Sequence, residues 1–454
     1  MEGAGRPGLH AHRPRTEARL NPPKRIGIFG HVGNGNLGDE AIIAAVIQGI
    51  RARVPHAELV GFTTRPEDTR RRHGIESYPI RRGVTAPAPN RPAPVPQGAA
   101  EGPPPESGLR KAVRRVPGLY TVLSAVRDAV QGARDSASEA AFWVTRYQRL
   151  RGLDLLIVAG SNQLSDYVGG PWNFPYSVFA WTTAARLAGV RVAFLSVGAG
   201  PVRSRFSGAL IRHALDAASF RSFRDVGSRE AVEGIGFRGS TPLAPDLAHG
   251  LKMDVIPKRG GAGVRTVVVN PLPYYDPRFW AENDPAIYAR YVALLAEFAA
   301  TLKRRGYRVR FVATQLRADP PVIADIVRRL PARDGASDPG DRVDPPVERF
   351  EDLLAILGEA DVVIATRFHG VVLAQMLGKP TIGIAYRRST SDLLMDVGQG
   401  AYAIDITRLT LEGLLDRFDA LEADRGAEKR IADRLAQHRR ALDAQYDELL
   451  GVVR

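Results

Sequence analysis

The stretch ADVVIATRFHGVVLAQMLGKPTIGIAY, residues 360–386, decides how this chain is read. DVVIAT is a short β-branched run, VVLAQMLG is a helical stretch, and PTIGIAY is a second apolar run after Lys379-Pro380. Strand, turn, helix and strand within so few residues is a parallel βαβ unit, buried on both faces. Arg367 and His369 stand just past the end of the first strand, with Gly370 permitting a tight turn into the helix. In extended backbone, residues two apart share a face. Arg367 and His369 are therefore expected to face one pocket while Phe368 turns into the core. A fixed cation beside a proton-transfer group at such a place predicts an anionic ligand.

The same alternation repeats outward. RIGIFG (25–30), AELVGFTT (57–64), LDLLIVAGSNQ (153–163), RVAFLSVGAG (191–200) and ASFRSFRD (218–225) read as strands of a first half. RTVVVNP (265–271), YRVRFVAT (307–314), DVVIAT and PTIGIAY read as strands of a second, with helices near 285–305, 320–330 and 350–358. The expected fold is α/β: two Rossmann-like parallel-sheet domains facing a cleft, with ligand at the strand C-termini. The expected divisions are a disordered basic tail (1–23), an N-terminal domain (24–250), a C-terminal domain (251–409) and a helical segment (410–454). Between the second and third strands lie the proline-rich insertion 86–108 and a helical pattern through Leu119, Val122, Leu123, Val126 and Val130.

Composition narrows the class. The charge is +14, from 63 basic and 49 acidic residues, which suits an anionic partner. Motifs of nucleic-acid recognition are missing, so no nucleic acid is expected. With no cysteine, disulfides, thiol nucleophiles and cysteine-ligated zinc are excluded. The basic start lacks a signal peptide's apolar core, so a cytoplasmic protein is expected, with peripheral contact at the inner face of the membrane and a homo-oligomer left open. No metal-ligand spacing stands out.

Three further segments carry candidate chemistry. In HVGNGNLGDEAII (31–43) a glycine-rich loop opens a helix with Asp39-Glu40, which either complements the helix N-terminus or places Asp39, with Asn36, at a sugar's hydroxyls. In VAGSNQLSDYVGG (158–170), Ser161, Asn162 and Asp166 either bind hydroxyls or a phosphate edge or are plain turn formers. In SFRDVGSRE (222–230), Arg224 presents a guanidinium fork where strand meets helix, either to an anion or to Asp225.

Taken in order, these segments resemble the polysaccharide pyruvyl transferase family. The matching blocks are Gly35-Asn36-Leu37-Gly38-Asp39-Glu40-Ala41, Ala159-Gly160-Ser161-Asn162, Gly198-Ala199-Gly200-Pro201, Ser222-Phe223-Arg224-Asp225 and Arg367-Phe368-His369. The chain departs from the pattern at Ala159-Gly160-Ser161, where relatives carry three glycines, and at Asn270-Pro271, where many carry an arginine. The resemblance implies a fold like the B-type glycosyltransferases and transfer of pyruvyl from phosphoenolpyruvate to two sugar hydroxyls. Phosphoenolpyruvate would be a co-substrate, with no cofactor. It implies His369 as general acid/base with Arg367 catalytic, and Arg224, Arg367 and Gly370 on the donor. Asn36, Asp39, Ser161, Asn162 and Asp166 would hold the acceptor, which is a sugar, a nucleotide sugar or a lipid-linked saccharide. Two other readings remain. One is a nucleotide-sugar glycosyltransferase with Arg367 and Lys379 on the phosphates; its ribose needs an acid, for which Glu351 is poorly placed. The other is a non-catalytic, membrane-associated envelope-assembly subunit.

Overall fold

The computed structural model describes residues 24–82, 136–253, 264–280, 282–330 and 347–451. The expected tail, the proline-rich insertion and the helix expected from Leu119 to Val130 lie outside these residues.

Each half is a parallel sheet. The first contains β1 (Arg25–Phe29), β2 (Glu58–Thr63), β3 (Glu76–Pro79), β4 (Leu155–Ala159), β5 (Arg191–Val197) and β6 (Phe220–Phe223), in the order β3-β2-β1-β4-β5-β6. The second contains β7 (Thr266–Asn270), β8 (Arg308–Phe311), β9 (Val362–Ala365), β10 (Thr381–Ala385) and β11 (Ala403–Asp405), in the order β11-β10-β9-β7-β8. The central strands LLIVA, TVVVN, VVIA and TIGIA are buried along their whole length, as continuous aliphatic runs must be when helices cover both faces. The order of the first sheet reverses between β1 and β4, which places the Gly-rich loop after β1 and the Ser161 loop after β4 at the switch point.

The halves share a core. One apolar cluster joins Ile26, Ile42 and Ile157 of the first half to Leu353, Val363 and Val371 of the second. Separate clusters cover the outer face of each sheet, around Trp181 and around Phe298. The last helix, Ala427–Gly451, returns from the second half to the first. It buries Leu442, Tyr446 and Leu449 in the shared core, and Gln445 donates to Ser196 at 3.1 Å. The Gly-rich loop also reaches across: Leu37 N donates to Thr314 O at 2.8 Å, and Leu316 N to Gly35 O at 2.8 Å.

Two local expectations are corrected. The helix after β9 begins at Phe368, not after Gly370, with Arg367 as its N-cap residue. Phe368 is only partly buried: it packs against the shared core, as expected, but also lines the cleft, where the Arg224 guanidinium lies 4.1 Å from its ring centroid. Gly370 makes no turn. It is buried in the first helical turn, where a Cβ would stand 2.2 Å from Asn270 Oδ1, so close packing rather than backbone freedom requires glycine.

Candidate functional site

A cavity of about 1220 Å³ opens beyond the C-terminal ends of both sheets. Its N-terminal wall is built from His31, Asn36, Asp39, Ser161, Asn162 and Arg224, and its C-terminal wall from Gln315, Arg367, His369, Arg387 and the aromatics Tyr274, Tyr275 and Trp280.

His369 is one of the places where the two halves meet inside the cavity. Its ring lies on the first turn of the helix Leu37–Arg51, so closely that a Cβ on Gly38 would come within 2.1 Å of His369 Cγ. Burial pushes the imidazole below its ordinary pKa, and the charges of Arg224 and Arg367 add to this; Asp39 and Asp246 oppose it only in part. The ring is thus neutral near pH 7, with Nε2 4.0 Å from Asp246 Oδ2 and without a hydrogen bond from any described residue. A neutral imidazole with a free ring nitrogen is suited to accept a proton.

Asp39 faces this histidine and Glu40 does not. Burial works against the ionised Asp39, but the hydrogen bond with His31 (3.2 Å) and the nearby imidazoles hold its carboxyl below the usual range. Glu40 is fully buried and structural, accepting from Gly33 N at 2.9 Å and pairing with His73 Nε2 at 2.8 Å.

Both candidate arginines are already paired. Arg367 donates through Nε (3.0 Å) and Nη2 to Asp319 Oδ1; Asp319 is fully buried and also accepts from Thr314 N at 3.0 Å and Gln315 N at 2.8 Å. Arg224 donates to Asp225 at 3.2 Å and to Asp246 at 3.4 Å. A guanidinium carries five N–H donors, so each keeps capacity toward the cavity.

The helices Phe368–Met376 and Arg388–Asp396 start at the ends of adjacent strands β9 and β10, and neither N-terminus has a side-chain cap. Their unpaired N–H groups and dipoles point positive charge at the cavity beside Arg367 and Arg387. By contrast, the helix Leu37–Arg51 is capped by the Asn36 side chain, which accepts from Gly38 N at 3.2 Å.

The other expected residues divide. Ser161 and Asn162 line the cavity, Ser161 at φ 55°, a left-handed conformation that costs a non-glycine residue energy. Asp166 does not line it; its carboxylate accepts from the backbone N–H groups of Arg203 (2.9 Å) and Ser204 (2.8 Å), so it pins the 203–204 loop. Lys379 follows the far end of the Phe368 helix and does not line the cavity, and Glu351 pairs with Arg349 at 3.1 Å on the surface. Residues not singled out from sequence are His31, Asp246, Asp319, Gln315, Arg387 and the Tyr274–Tyr275–Trp280 cluster. Only His31 carried a signal, as the first residue of the glycine-rich loop. Among the described residues, no three His, Asp or Glu side chains are grouped to hold a metal ion, and no helix is long and apolar enough to cross a membrane.

Solved structures sharing this fold include a Listeria monocytogenes protein assigned as a UDP-N-acetylglucosamine 2-epimerase (10% identity, 95% of each chain covered, TM-score 0.52). A second is the Neisseria meningitidis UDP-GlcNAc 2-epimerase bound to UDP-GlcNAc (10% identity, 94% of this chain and 100% of that one, TM-score 0.51). A third is the spinosyn rhamnosyltransferase SpnG (14% identity, 94% and 100%, TM-score 0.50). At such identities the likeness concerns the fold alone: the two-domain, parallel-sheet architecture of B-type glycosyltransferases and these epimerases. No curated protein sequence matches the chain. The family model for polysaccharide pyruvyl transferase matches residues 36–388, from the Asn36 cap to the uncapped Arg388 helix, and the chain belongs to that family.

Proposed function

We propose that this transferase moves a pyruvyl group from phosphoenolpyruvate to two hydroxyls of a sugar in a cell-surface polysaccharide or its precursor, forming a cyclic ketal and releasing phosphate. The observation that carries this reading is the pair of uncapped helix N-termini, each with an arginine beside it, on the wall next to a neutral His369. Phosphoenolpyruvate bears two anionic groups, a phosphate and a carboxylate, and two adjacent anion sites match that count.

The chemistry then assigns itself. A sugar hydroxyl adds to carbon 2 of the enol ether, and the neutral His369 takes the hydroxyl's proton and delivers it to carbon 3, which becomes the methyl group. The bond from carbon 2 to the phosphate oxygen breaks, with Arg367 and the helix dipoles stabilising the departing charge. The second hydroxyl adds to the resulting oxocarbenium carbon and closes the ketal. Of the two hydroxyl protons, one is accounted for in the new methyl group and one leaves with phosphate. Asp39, Ser161 and Asn162 on the opposite wall hold the acceptor, and His31 orients Asp39. The cavity is far larger than a three-carbon phosphate ester needs, which leaves room for a saccharide.

The test is incubation with phosphoenolpyruvate and a panel of saccharide acceptors, read by phosphate release and by an acceptor mass gain of one pyruvylidene group. Phosphate release without any acceptor adduct would contradict the transfer. The second reading is nucleotide-sugar glycosyl transfer. The feature favouring it is the stacked Tyr275–Trp280 pair (centroids 5.1 Å apart, planes at 19°), a surface on which a base could rest. Release of a nucleoside diphosphate from a nucleotide sugar would support it.

A further inference from the structure

The rim of the cleft on the N-terminal side exposes large apolar side chains in one group. Trp172 is 69% exposed, Val168 68%, Phe206 49% and Tyr167 39%. The Trp172 and Phe206 rings are 5.5 Å apart, and Val168 O accepts from Asn173 Nδ2 at 2.7 Å, which folds the 167–173 loop back on itself. Tyr167 and Val168 also line the cavity, so the patch is continuous with its mouth. An exposed group of this kind marks an interaction surface rather than ordinary surface hydrophobicity.

Its edge is basic. The guanidinium of Arg203 lies 5.2 Å and that of Arg387 5.4 Å from the Tyr167 ring centroid, and Arg203, Arg205 and Arg387 are exposed. Asp166, the nearby acid of the same loop, is buried and committed to the backbone amides of Arg203 and Ser204, so it presents the arginine-bearing segment instead of neutralising it from the surface. The chain as a whole carries +14.

We propose that this rim docks the mouth of the cleft onto an anionic lipid bilayer. Trp172, Phe206 and Val168 enter the headgroup region, while Arg203 and Arg205 meet lipid phosphates and Arg387, at the inner edge, stays with the cleft. A free sugar chain could stack on Trp172 but makes no use of Val168 and Phe206 beside the two exposed arginines Arg203 and Arg205. Docked this way, the cleft opens at the membrane surface, so the acceptor class it fits is a saccharide carried on a lipid. The proposal concerns delivery of the acceptor and stands apart from the identity of the donor.

The experiment is co-sedimentation of the full chain with phosphatidylglycerol–phosphatidylcholine vesicles and with phosphatidylcholine alone. The expected result is binding to the anionic vesicles only, weakened at least tenfold in Trp172→Glu/Phe206→Glu. Val264→Glu serves as control: Val264 is 60% exposed but precedes β7, at the end of the sheet away from the cleft, and should bind as wild type does. Melting curves establish that each variant is folded. Should the aromatic pair fail to fold, Arg203→Glu/Arg205→Glu carries the test, with the same loss expected. Wild type that ignores anionic vesicles overturns the proposal, as do rim variants that sediment undiminished, which would place binding elsewhere in this basic chain. Wild type that binds an insoluble polysaccharide but no vesicle overturns it in favour of a sugar chain. Stabilisation by phosphoenolpyruvate, measured in parallel, reports separately on the donor site.

Discussion

His369 is only as well placed as Gly38 allows. Because a Cβ at residue 38 would overlap His369 Cγ at 2.1 Å, Gly38→Ala should leave the fold intact while displacing the imidazole. Turnover should fall on the order of a hundredfold, the low end of what a general acid/base contributes; unchanged turnover would show that the ring position does not matter. The pH dependence follows from burial. The folded imidazole sits below its ordinary 6.5, so its active neutral form persists to lower pH than a solvent-exposed histidine would allow. The acid limb of kcat/KM should therefore lie below pH 6.5 and disappear as a distinct limb in His369→Asn. Arg367 carries a second duty, since Asp319 is fully buried and without it would keep its backbone hydrogen bonds but lose its counter-charge. Arg367→Ala should thus lower stability by about 3–5 kcal/mol, measurable by denaturant unfolding, and its loss of activity cannot be assigned to catalysis alone. From sequence the Arg367–His369 pair and Asp39 were legible as residues of one pocket, which they line. Asp319 and Asp246 were not, because nothing local distinguishes an aspartate that will meet an arginine from another element.

The strands were legible because aliphatic β-branched runs between glycine turns leave few alternatives. The two that escaped notice are short edge strands: β3 (ESYP) is polar and ends in proline, and β11 (AID) has three residues. The helix starts were harder. Alternation within extended backbone put Phe368 wholly in the core, but the helix already begins there, turning successive residues by about 100° rather than 180°, so the residue is shared between core and cleft. That early start is what brings Phe368 under the Arg224 guanidinium. The missing cap on the Arg388 helix gives a test at this scale. Arg387 has the extended backbone of an N-cap residue but no side-chain acceptor. Arg387→Asp should supply one and raise stability by about 1 kcal/mol, while placing negative charge at the proposed anion site and abolishing stabilisation by phosphoenolpyruvate. A variant that gains stability and keeps the ligand response would remove that helix from the donor site.

The whole molecule behaves as two sheets on one core. The cluster spanning Ile26 to Leu450 predicts a single unfolding transition, and Leu449→Ala in the returning helix should lower stability by about 2–5 kcal/mol for both halves together. The two-domain architecture was readable from the repeated strand–helix pattern, but the shared core was not, since interlocking of halves leaves no local periodicity. His249, buried under the returning helix with its ring centroid 4.7 Å from that of His438, links this core to pH. Burial pushes its pKa down to about 4, with His438 adding to the shift. The unfolded chain binds that proton already below 6.5, so this contribution to stability is intact above pH 6.5 and lost as the pH falls toward 4, by about 3 kcal/mol in all. Denaturant curves at pH 7 and pH 5 should show the slope, and His249→Phe should flatten it.

The most direct test of the central claim, that the cleft is a phosphoenolpyruvate site, is a thermal-shift titration of wild type with phosphoenolpyruvate, inorganic phosphate and nucleoside diphosphates, repeated on His369→Asn. A ligand at a hundredfold excess over its Kd should stabilise the folded chain by about 2.7 kcal/mol. The account predicts stabilisation by phosphoenolpyruvate well beyond that by phosphate, preserved in His369→Asn because the imidazole serves turnover rather than binding. Stabilisation by a nucleoside diphosphate, with none by phosphoenolpyruvate, would contradict it.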